Sequence, residues 1–507
     1  MNTHAPWPRR SFLRAAAAGS AWVGLGDLAF LGRLPPVAAA ETRPEPARVK
    51  FRPEIEPLVR LLEDTPRERL LEAVAERIHR GTPYRDVLTA LLLAGVRNIQ
   101  PRPVGFKFHA VLVVNSAHLA SQNSPPTDRW LPLFWALDYF KSSQARGLQE
   151  GGWNLSAVDE RAVPPADRAR AAFTEALDRW DEAQTDVAVA GWVRTAGAHD
   201  LFDTFCRYGA RDFRDIGHKA IYVANSWRTL QNIGWQHAEP VLRSLAYALL
   251  EHEGGNPADR DAEPDRPGRR HAQLVHDIHP TWPAGRPDAA GTAELLMTLR
   301  MGTWEQAGEK VAELLDRGVA ASSLWDACFA HSTELLMRRP GIITLHACTT
   351  TNALHYAFTQ AARDETRLFL LLQNAAFLPL FRARAGAGGA EGLTLDRLEP
   401  AAAARGDADA VPAIFETLSR DRLAAASQAL GWLEAGGDVR SFLAAAQRLI
   451  YLKGRDSHDY KFSSAVFEDY AHLSPAWRDR FLAASVYWLK GAGAPDNGLV
   501  ARTRALL

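Results

Sequence analysis

Apolar residues recur at three- and four-residue spacing along almost the whole chain, and this pattern most constrains its fold. Such spacing is typical of one face of an α-helix, whereas the alternation typical of half-buried β-strands is scarce. The pattern predicts helices over residues 55–63, 66–80, 84–95, 105–121, 129–142, 166–183, 197–207, 215–232, 236–252, 291–299, 305–317, 322–337, 345–359, 366–383, 411–416, 420–434, 438–453, 458–470 and 476–489. Because short turns join many of these ranges, we predict an all-α fold of packed antiparallel helix pairs.

Two stretches interrupt the helical pattern. Residues 254–270 are charged and rich in proline, glycine and aspartate, and residues 384–392 are rich in glycine and alanine. Both compositions are typical of surface loops. Neither stretch is long enough to indicate a domain boundary, and no repeat of fixed period is found. Residues 41–507 are therefore predicted to form one large helical domain.

The N-terminus has the layout of an export signal. The adjacent Arg9 and Arg10 precede Phe-Leu and an apolar stretch, and a run of alanines at residues 38–40 is similar to a cleavage site. This layout predicts a twin-arginine signal peptide over residues 1–40, and hence a periplasmic or exported protein. The alternative is a membrane anchor, but the segment contains glycines and an aspartate and is only moderately apolar. We expect no stable membrane insertion after signal removal.

Composition and short motifs exclude several classes of function. Lysine plus arginine and aspartate plus glutamate number 59 each, so no basic field indicates nucleic-acid binding. The three cysteines, Cys206, Cys328 and Cys348, are too few and too scattered for a disulfide framework, although they are compatible with one disulfide. The CxxC, Walker A, GxGxxG, HExxH and GxSxG motifs are all absent from the sequence, which removes the common nucleotide-binding and hydrolase signatures.

Near the C-terminus, residues 456–470 are predicted to begin an amphipathic helix in which a histidine and a lysine share the buried face. His458 and Lys461 are three residues apart, and apolar residues continue along the same side. A lysine on a buried face is costly unless its charge is paired or removed. One interpretation is a lysine that reaches the surface or pairs with a carboxylate such as Asp459. The other is a metal site, because neutral imidazole is a common ligand and a lysine carboxylated by carbon dioxide offers an anionic oxygen.

Several other histidines lie on apolar helical faces. His109 lies in an unbroken apolar run, and His118 follows nine residues later, so it points away from His109 on a straight helix. His218 and His346 each open an apolar helical stretch. Taken singly, each of these is more often a hydrogen-bonded core histidine than a ligand. The histidines that flank or occupy the polar loop are interpreted as solvent-facing: His252, His271, His276 and His279.

Four stretches carry these histidines in the order of motifs from a known family. They are Phe108-His-Ala-Val-Leu-Val-Val, Gly217-His-Lys-Ala-Ile-Tyr-Val, Leu345-His-Ala-Cys-Thr and Ser457-His-Asp-Tyr-Lys-Phe-Ser-Ser-Ala. They resemble, in turn, the Asn-His-x-x-His-His-Leu-Leu, His-Pro-x-x-His-x-Gly-Tyr, Leu-His-Gly-Val-Thr and His-Leu-Ile-Lys-Leu-Thr-Glu-Ala motifs of the questin oxidase-like family. The chain departs from these motifs at several positions. Lys219 and Tyr222 replace a proline and a histidine, and Ala347 and Ser464 replace a glycine and a glutamate.

The resemblance implies an all-helical oxidative enzyme with a mononuclear non-haem iron. It implies that Fe(II) is held by four histidines and one carboxylated lysine: His109, His218, His346, His458 and Lys461. Imidazole nitrogens suit Fe(II), and an anionic oxygen offsets the charge of the metal. A sixth position would remain for dioxygen or for substrate. We therefore expect the side-chain tips of these residues to converge, although they span more than 350 positions of the sequence.

The resulting hypothesis is an exported, iron-dependent oxygenase that uses dioxygen to act on an aromatic or other hydrophobic organic substrate. Tyr222, in the second stretch, and His355, nine residues after His346, are the expected catalytic residues. If the register differs, His118 or His355 would replace one of the ligands. Five aromatic residues are candidates for an apolar pocket near the metal, with ordinary core packing as the alternative: Trp135, Tyr139, Tyr222, Trp227 and Trp235.

Two other functions remain open at this point. The departure at Tyr222 keeps open the alternative of a helical scaffold or binding module that has lost catalysis. A haem protein is also compatible with a buried histidine on an α-helix, but without a Cys-x-x-Cys-His site only non-covalent haem would fit. The substrates of that family do not transfer to this chain, because a shared fold or motif does not fix a substrate.

Overall fold

The regular structure of this chain is helical. The computed structural model describes residues 48–386, 389–390, 392–403 and 409–507. Within these ranges, pairing of the β type consists of two isolated bridges, Arg48–Ser156 and Arg286–Val319. The prediction of an all-α fold is therefore confirmed. The predicted signal peptide over residues 1–40 lies outside the described residues.

The first half of the described chain runs through short and medium helices. They are α1 (Glu56–Asp64), α2 (Arg67–His79), α3 (Tyr84–Asn98), α4 (His109–Leu112), α5 (Val114–Gln122), α6 (Leu131–Gln149), α7 (Ala166–Asp178), α8 (Glu182–Val193), α9 (Ala198–Gly209), α10 (His218–Ile233) and α11 (Ala238–Leu249). Prolines precede or open several of them, because the first helical positions need no backbone N–H donor. Pro66, Pro83 and Pro165 stand at the N-caps of α2, α3 and α7.

The second half of the described chain contains twelve helices. They are α12 (Arg266–Leu274), α13 (Ala289–Met301), α14 (Trp304–Asp316), α15 (Ala321–Arg338), α16 (Ile342–Gln360), α17 (Asp364–Ala385), α18 (Ala410–Leu418), α19 (Arg422–Glu434), α20 (Val439–Lys453), α21 (Ser457–Tyr470), α22 (Arg478–Ser485) and α23 (Leu499–Leu506). Polar caps begin many of these helices. Thr303 with Gln306, and Asp456 with Asp459, form reciprocal capping boxes at α14 and α21.

Helix α16 lies at the centre of the packing that builds the site. It packs against its sequence neighbours α15 and α17 and also against α10 and α21, which come from distant parts of the chain. Helices α4 and α5 contact α10, and α5 also contacts α21. Residues 48–507 belong to one compact unit, so the helices that carry the predicted ligands share one core.

Two predicted helices are interrupted in the structure. The range 105–121 contains a 3₁₀ turn at Phe106–Phe108 followed by α4 and α5. The range 166–183 ends near Trp180, whose φ of 57° is incompatible with a continuing helix. Asp181 then caps α8 by accepting a hydrogen bond from the Gln184 backbone N–H. Apolar periodicity did not reveal this break, because the residues on both sides of it remain helical.

The two predicted loops are shorter than expected. Helix α12 begins inside the range 254–270, with Pro267 in its first turn, where proline is tolerated. Helix α17 continues to Ala385, because Arg384 and Ala385 are good helix formers. The C-terminal helix α23 was not predicted.

Two further expectations concern membranes and disulfides. Among the described helices, none is both long and apolar enough to cross a membrane. Cys206, Cys328 and Cys348 are buried free thiols, so the disulfide that the sequence left open is not formed.

Candidate metal centre

Four histidines that are distant in sequence meet at one place in the core. The Nε2 atom of His218 lies 2.9 Å from the Nε2 of His109 and 2.9 Å from the Nε2 of His346. The ring of His458 completes the group, with its centroid 4.5 Å from that of His109 and 5.1 Å from that of His346. His109 and His346 flank His218, because their own ring centroids are 6.3 Å apart. The structure thus brings all four histidines together.

Each of the four histidines lies in the first turns of a helix. His109 and His218 open α4 and α10, His458 is the second residue of α21, and His346 is the fifth residue of α16. These N-terminal ends meet because α4, α10 and α21 pack around α16 or around one another. The site is therefore built from four helix starts, and the backbone just before each helix shapes it.

An oxygen acceptor holds the outer nitrogen of every ring. The Nδ1 atoms of His109, His218 and His346 lie 3.0, 2.5 and 2.7 Å from the carbonyl oxygens of Phe106, Asp215 and Ile342. A carbonyl oxygen only accepts, so each Nδ1 carries the proton and donates it. The fourth ring, His458, donates in the same way to a carboxylate oxygen of Asp456. All four Nε2 atoms therefore present lone pairs, as in histidines that bind metals.

Left-handed backbone precedes two of the four histidines. Phe106 has a φ of 47°, and Asp215 and Ile216 have φ values of 48° and 47°, which are unfavourable for residues with a Cβ atom. Phe106 and Asp215 are also the residues whose carbonyls hold the rings of His109 and His218. The strained turns thus place the acceptors that orient the two imidazoles.

The rings of His109, His218 and His346 are arranged in a way that suits a bound cation. Two lone pairs that face each other across 2.9 Å repel unless positive charge lies between them. Burial strongly lowers the pKa of His109, His218 and His346, so an extra proton on these rings is disfavoured. Their ligand atoms all lie within 4.8 Å of one another, a spacing that can hold one metal ion. The donor set consequently fits a metal better than a proton.

The ring of His458 packs against the others, but its nitrogens lie outside the group formed by those of His109, His218 and His346. Its Nε2 has no hydrogen-bond partner among the described residues, although the atom is buried. Burial would raise the pKa of Asp456, but hydrogen bonds from the His458 ring and its backbone N–H lower that pKa to about 2. Asp456 therefore remains ionised at neutral pH and holds His458 with its free nitrogen available.

Lys461 is buried without a partner one turn after His458. Its side chain belongs to a residue that is only 3% exposed, and its Nζ has no hydrogen-bond partner in the described part of the chain. Burial lowers the pKa of Lys461 to about 7. Asp459 is not its partner, because this carboxylate accepts from the Arg455 backbone N–H and pairs with Lys490 at 2.8 Å. The interpretation of Lys461 as a surface or ion-paired lysine is therefore wrong.

The Lys461 amine lies close to the histidine cluster. In addition to the effect of burial, its positive charge lowers the pKa of all four imidazoles. A cavity of about 20 Å³ adjoins Lys461 and has room for one water-sized molecule. Its lining is mostly polar and includes Asn115, Asn225, Arg228 and Glu468. Arg228 pairs with Glu468 and also donates to Asn225.

Other predicted site residues lie outside this cluster. His118 interacts with the Tyr84 hydroxyl, 3.2 Å from its Nδ1. His355 packs against Trp325 and His472, with ring centroids 4.9 and 4.7 Å away. Neither histidine replaces one of the four that converge.

Tyr222 lies one turn after His218, and its hydroxyl points elsewhere. This hydroxyl donates to Ser244 Oγ at 2.9 Å, and the ring packs edge-on against Phe108. Tyr222 and His355, the expected catalytic residues, thus have contacts that do not involve the four rings. Burial raises the pKa of the Tyr222 hydroxyl, so this group is a hydrogen-bond donor and not an anion at neutral pH.

The remaining aromatic candidates are packed against other rings. Trp135 stacks between Tyr139 and Tyr460, with centroid distances of 5.2 and 4.4 Å. Trp227 stacks on Phe202 at 4.3 Å and meets Trp235 edge-on. These contacts correspond to the alternative of ordinary core packing.

Sequence reasoning missed three features of the site and misjudged one histidine. Asp456, two residues before His458, was seen only as the start of a helix, although its carboxylate holds that ring. Gly105 was overlooked, and a Cβ atom there would lie 3.3 Å from Cε1 of His218. The carbonyl acceptors carry no sequence signal, because every residue has a carbonyl. His271, predicted to face solvent, is buried and hydrogen-bonded to Gln373.

The ring spacing argues against a haem bound between His218 and either His109 or His346. Two imidazoles that bind one iron from opposite faces of a haem place their nitrogens about 4 Å apart, because each metal–nitrogen bond is about 2.0–2.1 Å. The observed 2.9 Å between His218 Nε2 and each neighbouring Nε2 is too short for a macrocycle to lie between them.

Comparisons of this chain with protein-family models, with curated proteins and with solved structures give no match. The likeness to the questin oxidase-like family therefore stays a hypothesis, and the functional argument depends on the residues of the site.

Proposed function

We propose that this protein is a non-haem iron-dependent oxygenase whose Fe(II) is held by four histidines and a carboxylated lysine: His109, His218, His346, His458 and Lys461. The observation that carries the proposal is the convergence of four imidazole rings, each with Nδ1 donating to an oxygen, with the Nε2 atoms of His109 and His346 facing that of His218. One such histidine is common in a protein core, but four from separate segments make a ligand set.

The spacing of the nitrogens favours a metal with ligands at right angles. Metal–nitrogen bonds of about 2.0–2.1 Å put two ligands about 2.9 Å apart at right angles and about 3.3 Å apart in a tetrahedron. The Nε2 atoms of His109 and His346 each lie 2.9 Å from the Nε2 atom of His218, which is the separation expected at right angles. This supports an octahedral ion such as iron over the tetrahedral zinc of structural sites. Imidazole with one anionic oxygen ligand also suits iron.

Carboxylation of Lys461 accounts for an otherwise costly group. A buried amine without a hydrogen-bond partner destabilises the fold, and Lys461 Nζ is such an amine. Once carboxylated, the side chain would carry an anionic oxygen toward four neutral rings and offset the charge of a bound metal. The adjoining cavity of about 20 Å³ is the nearest space for the added atoms or for dioxygen.

The protein itself positions the ligand side chains and excludes water from the site. A bound iron supplies the one-electron and dioxygen chemistry that the side chains lack. The four Nδ1 hydrogen bonds fix the direction of each lone pair, and burial of His218 and His346 limits access of water. Arg228 and Glu468 pair across the lining of the small cavity and restrict its contents to small molecules.

The organic substrate would meet the site from its outer side. The small cavity has no room for an aromatic ring. Phe106 and Ile342, whose carbonyls hold His109 and His346, are exposed apolar residues and offer an aromatic or other hydrophobic substrate a contact surface. The resemblance to the questin oxidase-like family supports this substrate class.

Metal analysis tests the proposal. Protein produced with iron and purified should contain close to one iron per chain and show no haem absorption band. His346→Ala should lose the iron, whereas His118→Ala, which removes a buried histidine outside the cluster, should keep it. Equal iron in both variants, or none in the parent protein, would reject the metal centre and leave a scaffold or binding module.

Export by the twin-arginine pathway is proposed separately. Replacing Arg9 and Arg10 by lysine should retain precursor in the cytoplasm, because this pathway requires the arginine pair. An unchanged periplasmic yield of the double variant would show that the N-terminal segment has another role.

A further inference from the structure

The four rings of the cluster are held by two different kinds of acceptor. Neutral backbone carbonyls accept from His109, His218 and His346. A carboxylate, that of Asp456, accepts from His458. Among the described residues, the other three rings have no carboxylate hydrogen-bonded to Nδ1. His458 is thus the one imidazole of the set with a charged partner behind it.

A charged acceptor changes the ring that donates to it. A hydrogen bond to a carboxylate is stronger than one to a neutral carbonyl and draws the Nδ1 proton toward the oxygen. The imidazole then carries more negative charge on Nε2 and becomes a stronger donor to a metal. The carboxylate also adds negative charge on the far side of the imidazole ring from the ligand nitrogen, and this charge stabilises a higher oxidation state of the metal.

We propose that Asp456 is a positioning residue that fixes the direction and raises the donor strength of His458, and thereby sets metal affinity and reduction potential. This inference rests on the proposed metal centre. Asp456 does not itself point at the place where the Nε2 atoms converge, because its oxygen faces the opposite side of the His458 ring. Its effect on the metal passes through His458.

Asp456 has a second role that the test must keep intact. Its Oδ1 also accepts the His458 backbone N–H, as the cap of α21. Asparagine caps a helix about as well as aspartate, so Asp456→Asn removes the charge and preserves the cap. Asp421, which caps α19 without contacting a histidine, gives the matched control Asp421→Asn.

Cobalt(II) added to the metal-free full-length protein is the first probe, with affinity measured by competition against a coloured chelator. Asp456→Asn should weaken cobalt binding about 10- to 100-fold, the usual effect of losing an outer partner of a ligand histidine. Its visible cobalt spectrum should shift as well. Asp421→Asn should match the parent protein in both measurements, because it changes a cap and leaves the site alone.

The iron-loaded proteins give the second readout. The reduction potential of Asp456→Asn should be higher than that of the parent, because removal of a negative charge disfavours Fe(III). If the affinity for Fe(III) falls ten times more than that for Fe(II), the rise is about 59 mV. A purely structural cap would leave the potential unchanged.

A double-mutant comparison assigns the effect to His458. In a His458→Ala background, adding Asp456→Asn should change cobalt affinity little, because no ring remains for the carboxylate to act on. If the parent binds cobalt and Asp456→Asn binds it equally well with the same spectrum, Asp456 has no such role while the metal centre stands. If the parent binds neither cobalt nor iron, the metal centre itself is rejected.

Discussion

His109 and His218 face each other through unprotonated nitrogens, with Nε2 atoms 2.9 Å apart and each Nδ1 committed to a backbone carbonyl. This arrangement is unfavourable for two neutral imidazoles alone, because both atoms present lone pairs. It is favourable when a cation accepts both lone pairs. His346 repeats the relationship with His218, so His218 is the ring that the other two share.

Because His218 lies between two other rings, its substitution should reduce iron affinity more than substitution of His458. His218→Ala should reduce iron affinity by more than the 10- to 100-fold typical of an outer partner, because it removes the central ligand. His458→Ala should cost less, since its Nε2 lies outside the group of three that already approach one another. Iron content after dialysis against graded chelator measures the order. A larger loss for His458→Ala would contradict it.

The sequence predicted most of the helices and the four histidines that converge. Apolar periodicity identified α10, α16 and α21, and a histidine at the start of an apolar face has its side chain directed into the core. The order of the four motifs along the chain indicated which histidines belong to one site. Periodicity alone does not indicate this. The N-terminal ends of these helices meet because of the way the helices pack. This packing cannot be predicted from the sequence of a single segment.

The parts of the site that sequence did not reveal depend on backbone conformation. The carbonyls of Phe106 and Asp215 hold two rings because the turns before them are left-handed, and these residue types do not favour that conformation. The role of Asp456 was hidden by its second role as a helix cap. His271 was misjudged because its surroundings in sequence are polar, whereas its partner Gln373 lies about a hundred residues away.

Substitution of Gly217 is expected to damage the turn before His218. Its φ is +82°, and a Cβ atom there would lie 2.1 Å from Thr350 Oγ1. Gly217→Ala should lower the free energy of unfolding by about 2–5 kcal/mol, from left-handed strain of about 1–2 kcal/mol and overpacking of about 1–3 kcal/mol. Urea unfolding measures the loss, and iron content should fall with it because the turn places His218.

Gly81→Ala is the matched control for this turn. Gly81 has a φ of +94°, but nothing lies within 4 Å of the position of its Cβ atom. This variant should show only the left-handed strain of about 1–2 kcal/mol and should retain its iron. Equal losses of stability in the two variants would mean that Thr350 moves aside without cost.

Because His355 is buried, the folded protein is expected to lose stability in mild acid. Burial lowers its pKa from 6.5 to about 3, so between these values the unfolded chain binds a proton that the folded chain does not. The stabilisation is complete above pH 6.5 and decreases as pH falls toward 3. From pH 7.5 to pH 5 the decrease is about 2 kcal/mol, because the slope approaches about 1.4 kcal/mol per pH unit below pH 6.5.

His355→Gln measures this contribution. The variant cannot titrate there, so its free energy of unfolding should fall by about 2 kcal/mol less than that of the parent between pH 7.5 and pH 5. Urea unfolding of both proteins with a chelator present excludes linkage to the metal. Parallel pH profiles would show that His355 does not remain neutral in the folded protein.

Lys461 allows the most specific test of the proposed ligand set. Lys461→Ala should reduce iron content and abolish activity, because the anionic ligand is lost. Lys461→Arg should fail as well, since a guanidinium cannot be carboxylated and its permanent charge would repel the metal. Lys461→Glu should recover part of the iron, because a carboxylate from the same helix position offers an oxygen ligand.

The outcome that decides is iron stoichiometry across these three variants. If Lys461 only fills space beside the histidines, arginine should be tolerated to the extent that it packs, and glutamate should do no better than alanine. Mass spectrometry of the intact parent protein under non-denaturing conditions supplies an independent readout, because a carboxylated lysine adds the mass of carbon dioxide and acid removes it. Full iron in Lys461→Arg would remove Lys461 from the ligand set. The four histidines would then remain as the metal site, with a different group as the source of negative charge.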